Sequence, residues 1–258
     1  FLRNRQLIYS LTKRDIQSKY KSSYLGVFWS FLTPLFMLAI YTYFFSFVFQ
    51  TKWGASSGSR FEFAIFLFCG ISIFNFFSDV MNRSPSLIVS NVNYVKKVVF
   101  PIEILPVTVL GTALFHLIIN ELLLISAIWM FYGKISWTVV LLPIILIPLF
   151  FISLGLSWFI AALGVYIRDV NQFVGLAVQA LIFLSPVFYP ITIIPEKLHF
   201  IYQLNPLTGI IENARKILIQ GQLPDWLQII VSASIGFIIL IVGFIWFKKL
   251  KGGFADVL

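Results

Sequence analysis

Charged residues are scarce in this chain of 258 residues, where Asp, Glu, Lys and Arg together make up 11% of the sequence. Hydrophobic residues make up 59%. A soluble domain of this length would have too little polar material to cover its surface. The scarcity of charge therefore excludes an ordinary soluble protein and predicts a membrane protein that crosses the bilayer several times.

Cysteine, histidine and nucleotide-binding motifs are equally sparse. Cys69 is the only cysteine, which excludes a disulfide framework. His116 and His199 lie far apart and lack the spacing of metal ligands. Gly133-Lys134-Ile135 lacks the leading glycine and the Ser or Thr of a phosphate-binding P-loop. We therefore expect no metal, no cofactor and no catalytic site in this chain, and any energy must come from a partner.

Long hydrophobic runs, by contrast, dominate the sequence. Six of them are long enough to cross a hydrocarbon core about 30 Å thick, which takes a helix of about 20 residues. Their approximate bounds are 27–49, 62–82, 104–132, 137–165, 170–189 and 226–247. The sequence therefore predicts one all-α domain, 1–258, with six transmembrane helices.

The 19 Lys and Arg residues divide unevenly between the two sides of the membrane. Six spans place both termini on one side, and the other side receives only Lys52, Arg60, Lys134, Lys197, Arg215 and Lys216. Because Lys and Arg near span ends resist translocation, both termini are predicted to be cytoplasmic. Membrane topology and contact with anionic lipids thereby explain the net charge of +9, and no nucleic-acid motif accompanies it.

Two links between the predicted spans carry structure of their own. The cytoplasmic link 83–103 is mixed in polarity, and we expect a short amphipathic helix within it. The outer link 190–225 is the longest and is divided by Pro190, Pro195, Pro206 and Pro224. Within it, Asn205-Pro206 at the start and Gly221 past the end predict a capped helix. Few residues of that helix are charged, so we expect it at the membrane surface or dipping into the membrane.

Polar side chains recur at helical spacing inside two predicted spans. The second span carries Asn75, Asp79 and Asn82, and the third carries His116, Asn120 and Glu121. Spacings of three and four place such residues on one helix face. Polar groups inside a membrane usually face the bundle interior or a path, so the sequence leaves open interhelical hydrogen bonds, a hydrophilic lining and a proton relay.

Aromatic residues are abundant, with 29 Phe, 10 Tyr and 7 Trp. Trp29, Phe36 and Tyr43 repeat every seven residues on the first span, and Phe183 and Tyr189 near the fifth are candidates for the same space. Sugar CH groups stack on aromatic faces, with about 0.5–1.5 kcal/mol per contact by analogy with aromatic pairs. These residues either line a path for a sugar polymer or are lipid-facing and packing bulk.

Several motifs together resemble the permease subunit of an ABC-2-type ATP-binding-cassette exporter, in the branch that exports O-antigen, teichoic acid and capsule polysaccharides. The resemblance covers nearly the whole chain. Its motifs, in order, are Arg14-Asp15, Lys19-Tyr20-Lys21, Leu25-Gly-Val-Phe-Trp-Ser30 with Pro34, Lys97-Val-Val-Phe-Pro101 with Ile104-Leu-Pro106, Tyr166-Ile-Arg-Asp-Val170, Ser185-Pro-Val-Phe-Tyr-Pro190 and Asn205-Pro-Leu-Thr-Gly209.

The resemblance implies a multi-pass protein of the bacterial inner membrane that moves a lipid-linked polysaccharide outward. It implies a homodimer with a central channel. It also implies two copies of a separate ATPase subunit on the cytoplasmic face, which bind ATP and Mg²⁺. The segment 7–20 would then be a cytoplasmic interface helix.

The resemblance also assigns residues to two tasks. In such permeases a coupling helix between the second and third spans fits a cleft in the ATPase, and it maps onto 83–97 here. The coupling residues would be Asn91, Asn93, Tyr94, Lys96 and Lys97, with Arg168 and Asp169. Short re-entrant helices of the outer link act as a gate, here with Pro190, Pro195, Asn205, Pro206, Glu212 and Arg215.

Two other functions remain open from the sequence. One is an ABC-2 exporter of a drug or small lipid, although the short outer link 51–61 favours the polymer branch. The other is an ion-coupled secondary transporter that uses Asp79, His116 and Glu121. Such transporters usually contain internal repeats with paired broken helices, and no convincing repeat relates the two halves of this chain.

Overall fold

A computed structural model describes residues 4–21, 23–44, 60–96, 100–191, 194–195, 197 and 199–258. Its regular elements in this part of the chain are all helical, as the long apolar runs predict. The α-helices are α1 (Arg5–Tyr20), α2 (Trp29–Tyr43), α3 (Arg60–Arg83), α4 (Val92–Val95), α5 (Ile104–Tyr132), α6 (Leu142–Tyr166), α7 (Val170–Phe183), α8 (His199–Leu204), α9 (Pro206–Arg215), α10 (Trp226–Leu250) and α11 (Phe254–Val257).

Five helical segments are long and apolar enough to cross a membrane. They are Gly26–Tyr43, Glu62–Arg83, Ile104–Tyr132, Trp137–Tyr166 and Trp226–Val257. They coincide with five of the six predicted spans, because a long run without charge both favours a continuous helix and needs lipid or protein around it.

The fifth predicted span contains a shorter helix than the sequence suggested. Helix α7 ends at Phe183 and has 14 residues, about 21 Å at 1.5 Å per residue, whereas the predicted span extended to residue 189. The helix stops there because a proline disfavours helical backbone at the residue before it, and Pro186 follows Ser185. Asn205 Nδ2 donates a 3.0 Å hydrogen bond to the carbonyl of Leu184, which is freed by this ending.

Helix α3 lies at the centre of the bundle, where α2, α5, α6, α7 and α9 pack against it. Of its apolar stretch, 83% of the residues are buried, compared with 6% for α2. Apolar side chains such as Leu67, Ile73 and Val80 are fully buried along it. Helix α3 therefore organises the core, and α2 lies at the periphery of the isolated chain.

Helices α6 and α10 pack with their backbones in contact. A Cβ atom at Gly155 would lie 2.5 Å from the carbonyl oxygen of Ile239, and one at Gly243 would lie 2.0 Å from the carbonyl oxygen of Gly155. Small residues allow such close packing of membrane helices. Any larger side chain at these two positions would force the helices apart.

The bundle has two ends that differ in content. At one end, Tyr166 Oη donates a 3.0 Å hydrogen bond to the Leu250 carbonyl, and a Cβ at Gly164 would meet the Pro85 carbonyl. This end, called the α4 end, carries α1, α4, the α6–α7 turn and α11. At the other, the α9 end, Thr138 Oγ1 donates to the Ile217 carbonyl at 2.5 Å. Both termini of the described chain therefore lie at the α4 end.

Candidate functional site

A cavity of about 590 Å³ opens between α1, α2, α3 and α5, and we call it the polar cavity. It extends along α3 from Phe68 to Asn82, about 21 Å of helix. Its polar and aromatic lining residues are Lys19, Tyr20, Trp29, Ser30, Thr33, Tyr41, Phe68, Ser72, Asn75, Phe76, Ser78, Asp79, Asn82, His116 and Asn120. Four separate helices thus contribute polar groups to one internal space.

The α3 wall of the polar cavity contains the exposed residues of that helix between Glu62 and Arg83. Between Glu62 and Arg83, Asn75 and Asn82 are the only exposed residues, and both line the cavity. Asp79 lies between them at spacings of four and three, as the sequence predicted for a shared face. On α5, His116 and Asn120 line the same space. The structure therefore brings together five of the six polar residues that the sequence singled out within the spans.

Several buried polar atoms around the cavity lack hydrogen bonds. Asp79 Oδ2, His116 Nε2 and Glu121 Oε2 have no hydrogen-bond partner among the described residues. Arg83 Nη1 lies 3.9 Å from Asp79 Oδ2. The sixth polar residue, Glu121, lies behind the wall, where Ser72 Oγ donates to its Oε1 at 2.5 Å. A polar group left unpaired in a buried place costs about 1–3 kcal/mol, so this lining is costly unless something occupies the cavity.

Tyr20 adds a hydroxyl donor at the α1 side of the cavity. Burial raises the pKa of Tyr20, and the negative charge of Asp79 raises it further. The phenol therefore keeps its proton at neutral pH. The Tyr20 ring meets the His116 ring edge to face, with centroids 6.1 Å apart. Among the described residues, no group of three or more His, Cys, Asp or Glu side chains could hold a metal ion.

The predicted channel aromatics separate into two places. Trp29 lines the polar cavity. Phe36 and Tyr43 are exposed on α2 and are not among the residues that line this cavity. Phe183 is exposed at the end of α7, and the Tyr189 hydroxyl donates to its carbonyl. Tyr189 also shares a 2.7 Å hydrogen bond with the Tyr202 hydroxyl. That these five residues line one channel stays a prediction.

The predicted coupling residues lie around α4. The expected short helix is present as Val92–Val95, preceded by a 3₁₀ turn at Val89–Asn91. Tyr94 accepts a 2.7 Å hydrogen bond from Arg14 Nη1 of α1 and stacks on Phe100, with ring centroids 4.4 Å apart. Asn93 and Lys96 are exposed. Lys97 lies outside the described residues.

The α4 end also contains two exposed residues of the α6–α7 turn and a carboxylate that joins α1 to α3 and α5. Arg168 and Asp169 are exposed in the turn between α6 and α7, at the same end of the bundle as α4. Asp15 Oδ2 of α1 binds Arg83 Nη2 of α3 at 2.6 Å and accepts from Thr112 Oγ1 of α5 at 2.7 Å. One carboxylate oxygen thereby fastens α1 to two long helices.

At the α9 end, Arg215 is 1% exposed and is surrounded by acceptors. Its Nε donates to the Phe66 carbonyl at 3.1 Å, and its Nη1 and Nη2 donate to the Pro186 and Val187 carbonyls at 2.5 and 2.9 Å. Its Nη1 also lies 2.9 Å from Glu212 Oε1. These groups, which we call the Arg215 cluster, join α9 to α3 and to the chain after α7.

The predicted capped helix is confirmed. Asn205 Oδ1 accepts from the Leu207 backbone N–H at 3.0 Å, Pro206 opens α9, and a π-helical turn, Lys216–Gln220, ends at Gly221 with φ +66°. Of the other predicted gate residues, Pro190 is buried and Pro195 is exposed. The charged residues Glu212 and Arg215 form an ion pair with each other, and Arg215 also donates hydrogen bonds to backbone carbonyls.

Sequence reasoning missed two groups of polar residues. Asn213 is fully buried; its Nδ2 donates to Gln228 Oε1 at 2.7 Å, and its Oδ1 accepts from the Asp225 backbone N–H at 2.7 Å. Ser72 was missed as well, although it lies three residues before Asn75 on the same face. That spacing was the available signal for Ser72, whereas Asn213 could be found only from the folded chain.

A bundle of membrane-length helices is the architecture of a polytopic membrane protein, and this one encloses a cavity lined by polar side chains. The sequence model of the ABC-2 type transporter family matches residues 6–219, so the chain belongs to that family.

Curated relatives match along nearly the whole chain. An O-antigen export system permease protein RfbA from Klebsiella pneumoniae is 29% identical over 255 residues, covering 98% of this chain and 95% of the relative. A protein of the same name from Myxococcus xanthus is 27% identical with the same coverage. The polysialic acid transport protein KpsM from Escherichia coli is 24% identical over 242 residues, covering 91% of this chain and 89% of the relative.

Proposed function

We propose that this chain is the channel-forming permease subunit of an ABC exporter. Its substrate is a lipid-linked polysaccharide of the O-antigen kind, which it moves from the cytoplasm across the bacterial inner membrane. The observation that carries the proposal is the match along 98% of the chain to relatives named as O-antigen export permeases. The match to a polysialic acid transport protein supports a polysaccharide as the class of substrate.

The working assembly in this proposal is a homodimer with two copies of an ATPase subunit. The chain itself carries no ATPase site, and ATP and Mg²⁺ are bound by the partner. Helix α2 is only 6% buried in the single chain, which leaves its surface free for a second copy or for lipid. Six passes, with α7 and the residues after it as the fifth, bring both termini to one side, in keeping with their shared position at the α4 end.

Coupling to the ATPase takes place at the α4 end. Asn91, Asn93, Tyr94, Lys96 and Lys97 contact the partner, together with Arg168 and Asp169. The hydrogen bond from Arg14 to Tyr94 supports a direct route from this contact to α1. Because Asp15 fastens α1 to α3 and α5, a displacement of α4 is passed to the helices around the polar cavity.

The outer gate lies at the α9 end, and the aromatics form the path. Pro190, Pro195, Asn205, Pro206, Glu212 and Arg215 belong to short re-entrant helices that close the exit. Trp29, Phe36, Tyr43, Phe183 and Tyr189 offer stacking surfaces to the polymer. Many weak contacts let a long polymer move without being trapped, the logic that also governs conduction through channels.

The experiment that tests the function replaces the chromosomal gene by variants and measures surface polysaccharide. Loss of the chain should abolish surface polysaccharide, and Lys96→Glu with Lys97→Glu should do the same while the permease remains folded. The control is Lys248→Glu with Lys249→Glu, the same charge reversal on an exposed pair at the α4 end. Unchanged surface polysaccharide after deletion would reject the proposed function.

The aromatic path has its own test. Alanine at Trp29, Phe36, Tyr43, Phe183 and Tyr189 should slow export while the purified protein keeps its thermal stability. Trp137→Ala with Phe237→Ala removes exposed aromatic rings elsewhere and serves as the control. If the five residues are packing residues instead, their truncation should cost several kcal/mol, about 3–5 for a buried Phe or Trp, and the protein should fail to accumulate.

A further inference from the structure

The lining of the polar cavity has the composition of a ligand-binding site and not that of a packed contact between helices. In a helix contact, polar side chains meet partners across the interface, whereas Asn75 and Asn82 are exposed to the cavity on the most buried long helix of the bundle. Asp79 Oδ2 and His116 Nε2 are buried without hydrogen-bond partners among the described residues. A ligand with several hydroxyl groups would satisfy these atoms, because a hydroxyl both donates and accepts.

The charge of the lining selects among possible ligands. Among the described residues that line the cavity, the charged ones are Lys19 and Asp79, and their charges are opposite. Arg83, which lies near Asp79, is paired with Asp15 at 2.6 Å. A diphosphate or another strongly anionic group favours several unpaired cations, usually arginines. The lining therefore fits a neutral ligand better than a phosphate.

The shape and the aromatic residues favour a sugar over a lipid chain. Trp29, Tyr20 and Tyr41 lie around the same space as the amides of Asn75 and Asn120. Aromatic faces accept the CH side of a sugar ring, and amides and carboxylates bind its hydroxyls. A volume of about 590 Å³ lies within the range of small-molecule sites. An acyl chain could form no hydrogen bond with these polar groups.

We propose that the polar cavity is a carbohydrate site that holds neutral sugar residues of the exported glycan. Asn75, Asn82 and Asn120 bind sugar hydroxyls, Asp79 and His116 supply the remaining hydrogen bonds, and Trp29 stacks on a ring. This proposal rests on the proposed function, because the glycan is its ligand. It goes beyond that function by assigning sugar contact to the space between α1, α2, α3 and α5 of one subunit.

Photo-crosslinking in cells tests which molecule enters the cavity. A benzoylphenylalanine replaces Asn120, which lines the cavity, or Ile118, which is exposed on the same helix outside it. Cells receive tritiated galactose and N-acetylglucosamine to label the glycan, or ³²P-phosphate to label lipid phosphates. We expect tritium on the purified permease crosslinked at position 120 and only background tritium at position 118.

Three results would overturn the carbohydrate site. The first is ³²P without tritium at position 120, which would indicate a lipid in the cavity. The second is an equal amount of tritium at positions 120 and 118. The third is the absence of tritium at position 120 in cells that still export the polysaccharide. If the Asn120 variant does not accumulate, benzoylphenylalanine at Tyr41 on α2 replaces it, because Tyr41 lines the same cavity. A strain without the chain separates the two proposals, since surface polysaccharide that persists there rejects the exporter itself.

Substitution gives a second, quantitative readout. Asn75→Leu with Asn120→Leu keeps side-chain size but removes two amides, and we expect the initial rate of export to fall about tenfold, the factor that 1.4 kcal/mol represents. Asn171→Leu makes the same change at an exposed position of α7 and should leave export unchanged. Export at the wild-type rate from the folded double variant would contradict sugar binding by these amides.

Discussion

The Arg215 cluster and the polar cavity place polar side chains in the same apolar bundle with opposite outcomes. In the cluster, an arginine that is 1% exposed finds three backbone carbonyls and a carboxylate. In the cavity, exposed amides lie beside buried polar atoms that have no hydrogen-bond partner among the described residues. Polar groups that saturate one another hold helices in place, and polar groups that do not are available to a ligand. The comparison predicts that substitutions in the Arg215 cluster lower the stability of the protein, whereas substitutions in the polar cavity slow transport and leave stability unchanged.

The largest effect should follow replacement of Arg215 by leucine. The change leaves the Phe66, Pro186 and Val187 carbonyls and the Glu212 carboxylate without their donor. Breaking a buried ion pair by removing one partner costs about 3–5 kcal/mol. The variant should lose most of its thermal stability in detergent, measured by size-exclusion chromatography after heating. Lys216→Leu, at the neighbouring half-buried position, is the matched control, and equal behaviour of the two variants would show that the cluster does not hold α9.

A smaller loss is expected for Asn205→Ala at the start of α9. Its side chain caps the helix and bonds Leu184 and Ser185 after α7. Loss of an N-cap alone costs about 0.5–2 kcal/mol, and the freed Leu184 carbonyl should place the variant at the upper part of that range. The measurement is the unfolding midpoint, with Asn171→Ala on the exposed face of α7 as control. A midpoint equal to that of the control would reject the link between α9 and the end of α7.

The ion pair between Glu103 and Lys251 is intermediate between the buried Arg215 cluster and the open polar cavity. Both side chains are partly exposed, and Lys251 Nζ lies 2.8 Å from Glu103 Oε1. Burial by itself would raise the pKa of Glu103, but the hydrogen bond and positive charge of Lys251 outweigh burial and lower it. A lowered pKa in the folded state adds stability above the unfolded pKa of about 4.3, and this stability is lost as pH falls below it.

Glu103→Gln should therefore be less stable than the parent at pH 7, by no more than about 1 kcal/mol for so accessible a pair. The difference between the two proteins should shrink as pH falls below about 4, where the parent carboxylate becomes protonated. Thermal unfolding of both proteins at a series of pH values measures it. A difference that stays constant over this range would mean that the glutamate contributes through packing and not through charge.

The smallest effect on stability should come from the polar cavity. Asn75→Leu with Asn120→Leu removes no hydrogen bond described for either side chain, and surface changes of this kind usually stay within about ±0.5 kcal/mol. The unfolding midpoint of this double variant should match that of Asn171→Leu. A large loss of stability would mean that these amides hold helices together, and the contrast between the two regions would fail.

Much of the helical bundle could be predicted from local chemistry. The capped α9 followed from Asn205, Pro206 and Gly221, because a cap depends on neighbours within a few residues. The early end of α7 had a signal as well, since Ser185-Pro186 disfavours continued helix, yet an apolar run through Tyr189 outweighed it in the prediction. Length of an apolar run is therefore a weaker guide to the end of a helix than the position of a proline.

The contents of the two polar regions could be predicted only in part. Spacing placed Asn75, Asp79 and Asn82 on one face of α3, but whether they meet a helix or a cavity depends on how closely α2 approaches. Arg215 was assigned to the outer link by its position, but its partner Phe66 lies 149 residues away in the sequence. Contacts at that distance depend on the packing of whole helices, which no local pattern determines.

The backbone contact between Gly155 of α6 and Gly243 of α10 limits which movements are open to the bundle. Two helices whose main chains touch cannot slide past each other without first separating, so α6 and α10 behave mechanically as one stiff strut. Any movement within the bundle must then come from other helices, those with less of their surface packed against neighbours. Helix α2 meets that description, and because it forms one wall of the polar cavity, a tilt of α2 alone would change the width of that cavity while the strut stays fixed.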